Sequence, residues 1–122
     1  MAEPVPTLGP LERQVMEILW DCPAEVCTRD VLERTSQPLA YTTIATVLNN
    51  LSRKGLVEKI LTGRVWAYRP LVGRSAYTAE MMARALATST DRSDSLLHFV
   101  GSIPEEDVAV LRALLDEDRA AP

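Results

Sequence analysis

The chain reads as mainly α with a small β wing: a winged helix-turn-helix domain over residues 8–72, followed by a C-terminal helical dimerisation module over 73–118. Three observations predict this. Three apolar-periodic segments come before Gly55, two strand-like runs joined by a glycine turn come next, and the sign of the local charge reverses where that series ends. A chain of 122 residues has room for one small enclosed domain and an appendage whose apolar face needs a covering partner. Residues 1–7 and 119–122 are expected to be flexible ends.

The proline-bearing leader ends at Leu8-Gly9-Pro10, after which Leu11, Val15, Ile18 and Leu19 recur at helical spacing and predict a first helix from Pro10 to Asp21. Pro23 closes it. Glu25-Val26-Cys27 is expected to be extended, with Thr28 as the N-cap of a second helix, Arg29 to Thr35, that buries Val31 and Leu32. Ser36-Gln37-Pro38 breaks that helix. Between Tyr41 and Lys54 the residues Ile44, Val47, Leu48 and Leu51 form one stripe of a third helix, and Gly55 stops it. Two strand-like runs follow, Leu56 to Leu61 and Val65 to Arg69. Gly63, in the Thr62-Gly63-Arg64 connection, permits the positive φ of a tight hairpin.

Pro70 to Gly73 is read as a linker. Ser75 is expected to cap a helix containing Met81, Met82 and Leu86, and a polar stretch, Thr88 to Asp94, separates it from a short apolar helix, Leu96 to Val100. Ser102-Ile103-Pro104-Glu105 fits the capping-box pattern ahead of a last helix that carries Val108, Leu111, Leu114 and Leu115.

Composition excludes several classes of function. Apolar residues make up 47% and charged residues 25%, yet no apolar run approaches the roughly 18 residues of a membrane span, so no direct membrane binding is expected. Met1 to Pro6 has neither the basic start nor the apolar stretch of a secretory signal, and a cytoplasmic location is expected. Cys22 and Cys27 are too few and too close for a disulfide framework and are read as small buried apolar residues. With one histidine, no glycine-rich phosphate loop and no nucleophile beside a base, no catalytic constellation can be built. An enzyme is excluded on that ground, and no metal or cofactor is expected.

The net charge of −4 argues, taken alone, against a nucleic-acid partner. The average misleads. From Tyr41 to Arg74 the basic residues Arg53, Lys54, Lys59, Arg64, Arg69 and Arg74 face the single acid Glu58, a local charge of +5; from Ser75 onward four arginines face nine acids, a local charge of −5. On the third helix, Thr42, Thr46, Asn49 and Arg53 lie opposite the apolar stripe, flanked by Thr43, Ala45 and Asn50. Those side chains suit a major groove: asparagine can pair with an adenine edge, threonine and alanine methyls can meet thymine methyls, and arginine reaches guanine or phosphate. Arg53, Lys54 and Arg64 are expected to hold the phosphate backbone, Arg64 from the wing tip. The candidate DNA-binding set is completed by Tyr41 at the start of the helix. The competing reading is a winged-helix protein-interaction module without DNA affinity, because fold alone does not decide function. An interaction surface would more often show a large apolar or aromatic patch where this helix is polar.

Leu11-Glu12-Arg13-Gln14-Val15-Met16-Glu17-Ile18-Leu19-Trp20 resembles the first helix of the BlaI/MecI repressors. Tyr41-Thr42-Thr43-Ile44-Ala45-Thr46-Val47-Leu48 and Leu51-Ser52-Arg53-Lys54-Gly55-Leu56-Val57 resemble their recognition helix and its exit, and Arg64-Val65-Trp66-Ala67-Tyr68-Arg69-Pro70 their wing. The resemblance spans residues 8 to 118. It implies a transcriptional repressor that binds palindromic operators with TACA/TGTA-like halves as a homodimer. By position it assigns base reading to Thr43 and Thr46. Ala45 stands where some relatives have a longer basic residue, and Thr42 where some have lysine.

The segment after Gly73 carries three short apolar-faced helices and is too small to enclose them alone, so pairing with a second copy is expected through Met81, Met82, Leu86, Leu97, Phe99, Val108, Leu111 and Leu115. Folding back on the winged helix as a monomer is the alternative. The resemblance further implies relief of repression by an upstream signal, with a membrane sensor protease as partner. His98-Phe99 aligns with the Asn-Phe bond cut in some relatives, although a lone aromatic on an apolar helix is usually packed as core. The cysteine cluster of the copper-responsive branch has no counterpart in the C-terminal region, where His98 stands alone.

Overall fold

The computed structural model describes residues 8–120. In chain order the elements are α1 (Pro10–Asp21), β1 (Val26–Cys27), α2 (Thr28–Arg34), α3 (Tyr41–Arg53), β2 (Val57–Thr62), β3 (Val65–Pro70), α4 (Arg74–Ala87), α5 (Arg92–Ser102) and α6 (Glu105–Ala120). The strands form one antiparallel sheet in the order β1-β3-β2. This is the three-helix, two-stranded-wing series the sequence predicts, with β1 added along the free side of β3. The described chain divides into two compact units after Met81.

In the first unit the predicted stripes meet. Val15, Met16 and Leu19 of α1, Val31 of α2, and Ile44, Leu48 and Leu51 of α3 are all but excluded from solvent, together with Leu56 and Val57 at the start of the wing. Each such aliphatic side chain stabilises the fold by about 1.5–3 kcal/mol through burial. Local chemistry sets the ends of the elements. Pro10 occupies the first turn of α1, and Glu12 Oε1 accepts the Gly9 amide at 3.0 Å. At the exit of α3, Gly55 takes φ +79°, its amide reaches Ser52 O at 3.1 Å, and the Leu56 amide reaches Leu51 O at 3.0 Å. That is a Schellman closure, with Leu51 and Leu56 both buried beneath it. Thr62 pairs with Val65 across the wing turn, leaving Gly63 (φ +66°) and Arg64 as its two central residues. Positive φ at Gly63 alone is the pattern of a II′ turn.

The first turns of α4 belong to this unit. Trp20 Nε1 donates to Val72 O at 2.8 Å, and Tyr77 is buried with its ring 5.6 Å from that of Trp20. Arg74 donates to Glu17 Oε2 and Asp21 Oδ1 at 2.9 and 2.8 Å. These carboxylate hydrogen bonds, first Asp21 and then Glu17, raise the guanidinium pKa further. Met81, expected in the dimerisation set, packs against this core.

In the second unit no described side chain from Met82 to Glu117 is buried. The end of α4 and α5 flank an open apolar groove of about 400 Å³ lined by Met82, Ala83, Ala85, Leu86, Leu96 and Phe99, with Ser95 at its edge. Asp91 caps α5, its Oδ1 accepting the Asp94 amide at 3.1 Å.

Several expectations change in detail. The cap of α2 is Cys27, and Thr28 is instead the first helical residue and buried. α4 begins at Arg74 rather than after Ser75, and α5 extends the short Leu96–Val100 helix at both ends. Ser102 does not cap α6: it ends α5, where its hydroxyl donates back to His98 O at 2.7 Å, and Pro104 O accepts the Asp107 and Val108 amides of α6. Proline at this position has neither a side-chain acceptor nor a backbone N–H, and so lacks both halves of a capping box. Cys22 and Cys27 are half-buried rather than buried, and Cys27 Sγ lies 3.2 Å from Asp30 Oδ2. Of the ends expected to be flexible, 119–120 fall within α6, while 1–7 and 121–122 lie outside the described residues.

Candidate nucleic-acid interface

The burial of Ile44, Val47, Leu48 and Leu51 turns the opposite face of α3 outward. Tyr41, Thr42, Thr46, Asn49 and Arg53 are exposed along it, and Thr43, Ala45 and Asn50 are half-buried at its flanks. The first turn of α3 carries no acid, so the partial positive charge of its N-terminus is not cancelled locally. Beneath its start, Tyr68 is buried. Burial raises its phenol above 10.0 against the opposing hydrogen bond to Thr28, and neighbouring Tyr41 adds to the rise. Tyr68 is therefore a neutral structural group.

The basic stretch divides into two classes once the chain is folded. Lys54 Nζ sits 2.8 Å from both carboxylate oxygens of Glu12 on α1. Burial pushes the Glu12 carboxyl up, but hydrogen bonds from Lys54 and the Gly9 amide and the charge of Lys54 outweigh it, holding the carboxyl below 4.5. Arg69 pairs with Glu58 at 2.6 Å across the wing, and Arg74 pairs with Glu17 and Asp21. Three of the six cations thus spend their charge on carboxylates. Among the described residues Arg53, Lys59 and Arg64 have no carboxylate partner, and they stand at the end of α3, on β2 beside it, and at the wing tip.

Lys59 is the residue that sequence reasoning missed. Its ammonium lies 4.6 Å from the centre of the Trp66 ring and 3.5 Å from Asn49 Oδ1 on α3. Strand alternation held the signal: Val57 enters the core, so Lys59 and Leu61 share its side of β2. The wing register then sets Trp66 opposite Leu61. At the end of α3, Arg53 Nη2 donates to Asn50 Oδ1.

The residues expected to form the dimer are placed on the C-terminal helices. Met82, Leu97, Phe99 and Leu115 are exposed, and Leu86, Val108 and Leu111 are half-buried. The His98-Phe99 bond lies inside α5, with the His98 carbonyl hydrogen-bonded to Ser102; His98 is exposed and Phe99 is 40% exposed, so Phe99 is not core within one chain.

Residues 8–117 match the family model described as penicillinase repressor. The chain is 40% identical over 115 residues to the transcriptional regulator BlaI of Mycobacterium tuberculosis, covering 90% of this chain and 83% of that protein. Its structure resembles the solution structure of the DNA-binding domain of the repressor BlaI, with a TM-score of 0.52, 30% identity, and coverage of 62% of this chain and 94% of that one. A MarR family protein from Bacillus stearothermophilus, at 17% identity and a TM-score of 0.50 over 92% of this chain and 73% of that one, shares the fold. The matching family and relatives are repressors and regulators, not enzymes. No described helix is long and apolar enough to cross a membrane. On the family match and the identity together, the chain belongs to the penicillinase repressor family.

Proposed function

We propose that this protein is a cytoplasmic repressor that binds double-stranded palindromic operator DNA as a homodimer. One observation carries the reading: the outward face of α3 is polar and free of acid, and the three cations of residues 41–74 that have no carboxylate partner among the described residues border it. A groove-reading helix flanked by phosphate contacts needs that arrangement. The relatives support it, one of them being a DNA-binding domain by description. Thr43, Thr46 and Ala45 face bases, Tyr41 and Thr42 stand at the helix entry, and Arg53 and Arg64 hold phosphates. Lys54 contributes little net charge, because Glu12 neutralises it.

The exposed apolar residues of the second unit support the homodimer. Leu97 and Leu115 are 70% and 68% exposed, and a second copy would cover them while its two-fold axis matches a palindrome. A membrane sensor protease is the proposed partner for relief. Proteases bind extended chain, so cutting at His98-Phe99 would require α5 to unwind first.

Binding of a duplex with TACA/TGTA-type halves and of a mixed-sequence duplex, measured by gel shift across a potassium chloride series, tests the function. Affinity should fall steeply with salt, and Arg53→Ala or Arg64→Ala should each flatten the log–log slope by about 0.9. Binding that ignores salt, or no binding at low ionic strength, would favour a protein-interaction module instead.

A further inference from the structure

Asn49 on the outward face of α3 and Asn50 at its flank carry the donor and acceptor that an adenine edge requires, and in each the oxygen is turned to a cation. Lys59 Nζ approaches Asn49 Oδ1 at 3.5 Å, and Arg53 Nη2 donates to Asn50 Oδ1. Ammonium and guanidinium groups have donors and no acceptor, so each carboxamide must face its cation with oxygen and point its NH2 elsewhere. A bidentate grip on adenine uses the oxygen for the N6 amino group and the NH2 for N7 at once. With one lone pair engaged and the carboxamide turned to its cation, only the oxygen's second lone pair is left for N6 and the orientation is set by the cation, so that grip is disfavoured. What remains is a pair of N–H donors beside a positive charge, which suits an anionic, acceptor-only group: a backbone phosphate.

The wing explains why Lys59 is found there. The register pairs Lys59 with Tyr68 and Leu61 with Trp66, which sets Lys59 and Trp66 as diagonal neighbours on one face of the hairpin. The indole is 47% exposed, and it meets the ammonium with its face. Tryptophan is the strongest aromatic partner for a cation. A lysine already held beside the helix loses less side-chain freedom on meeting its phosphate than one that swings free.

We propose that Asn49 with Lys59 and Asn50 with Arg53 form two phosphate-gripping pairs, that Trp66 is the positioning residue for Lys59, and that base reading on α3 is left to its threonines and Ala45. This rests on the DNA-binding reading above and refines it, because it removes both asparagines from base recognition.

The test uses the full chain and two duplexes of equal length, one selected by the wild-type protein from a randomised pool and one of mixed sequence, with binding followed by fluorescence anisotropy across a salt series. Asn49→Ala should weaken both duplexes by the same factor. Lys59→Met should weaken both and flatten the log–log salt slope by about 0.9. Trp66→Leu should weaken both, Trp66→Phe should restore part of the loss, and Trp66→Leu should cost little more when added to Lys59→Met. All these side chains are exposed, so unchanged thermal unfolding checks that the variants fold. A drop of about fivefold or more in the selected-to-mixed affinity ratio with Asn49→Ala would make Asn49 a base reader and overturn the proposal. So would an unchanged slope with Lys59→Met, or full additivity of the Lys59 and Trp66 losses. Those outcomes, in a wild-type protein that binds DNA, sink this inference alone; a wild-type protein that binds neither duplex sinks the DNA-binding reading as well.

Discussion

The winged-helix unit and the C-terminal helices use apolar residues at similar spacing and bury them to opposite extents. Up to Met81, the stripes of α1, α2 and α3 close on one another and on the wing, so that Val15, Met16, Val31, Ile44, Leu48 and Leu51 have no measurable exposure. From Met82 to Glu117 no described side chain is buried, and Leu97, Val110, Leu114 and Leu115 are each more than half exposed. Three helices folded around one another have an inside, whereas helices with too little chain to wrap them present their apolar faces outward. The lesson is that the buried core of the fold and the apolar surface proposed for assembly lie in different parts of this chain and should respond to different substitutions.

The largest effect should come from breaking the apolar surface of the second unit. Leu97→Asp combined with Leu115→Asp should convert a dimer to a monomer in sedimentation equilibrium and lower affinity for a palindromic duplex by about 10²–10⁴, through loss of the second, tethered binding event. Thermal unfolding of the winged-helix unit should be little changed. Persistence of the dimer would erase the proposed division of labour.

Next in size is the core. Leu48→Ala should cost about 2–5 kcal/mol in urea unfolding, because a fully buried leucine leaves a cavity that its neighbours only partly fill. The same truncation at Leu114, 56% exposed, should cost about 0.5 kcal/mol or less at concentrations where the chain is monomeric, and more as concentration rises and copies associate. Equal, concentration-independent losses at both sites would mean that the two regions are not different in kind.

The smallest effect sharpens the account of the winged-helix unit. The Glu12 carboxyl is held below 4.5 in the fold, so its contribution is complete above pH about 4.5 and is lost as pH falls from there through the lower folded value. Because Lys54 is about one-third exposed, that contribution should be about 1 kcal/mol or less. Glu12→Gln should remove the corresponding acid-side fall in stability, read from urea midpoints at pH 3 to 7.

Much of the fold was legible because it is locally specified. The Ile44, Val47, Leu48 and Leu51 spacing needs no knowledge of the partner that covers it, and Gly55 and Gly63 mark positions where the chain needs positive φ. The outward polar face of α3 followed from the same spacing by subtraction. Caps were less legible: Ser102 obeys a capping pattern in the sequence yet closes the preceding helix, because α5 runs through it and its hydroxyl donates back to the His98 carbonyl. The boundary of the winged-helix unit was also obscured, since nothing in Gly73 to Met81 announces that Tyr77 will be drawn under Trp20.

From the sequence alone come the series of helices and wing, the acid-free face of α3 and the basic character of the middle of the chain, all set by neighbours within a few residues. Which of those cations keep their charge for a partner was settled only by folding. Lys54 meets Glu12 across 42 residues and Arg74 meets Glu17 across 57, while Lys59 comes to Asn49 because the wing folds back beside α3. Charges pair through space at a few ångströms, and distance along the chain says nothing about that until the core has closed.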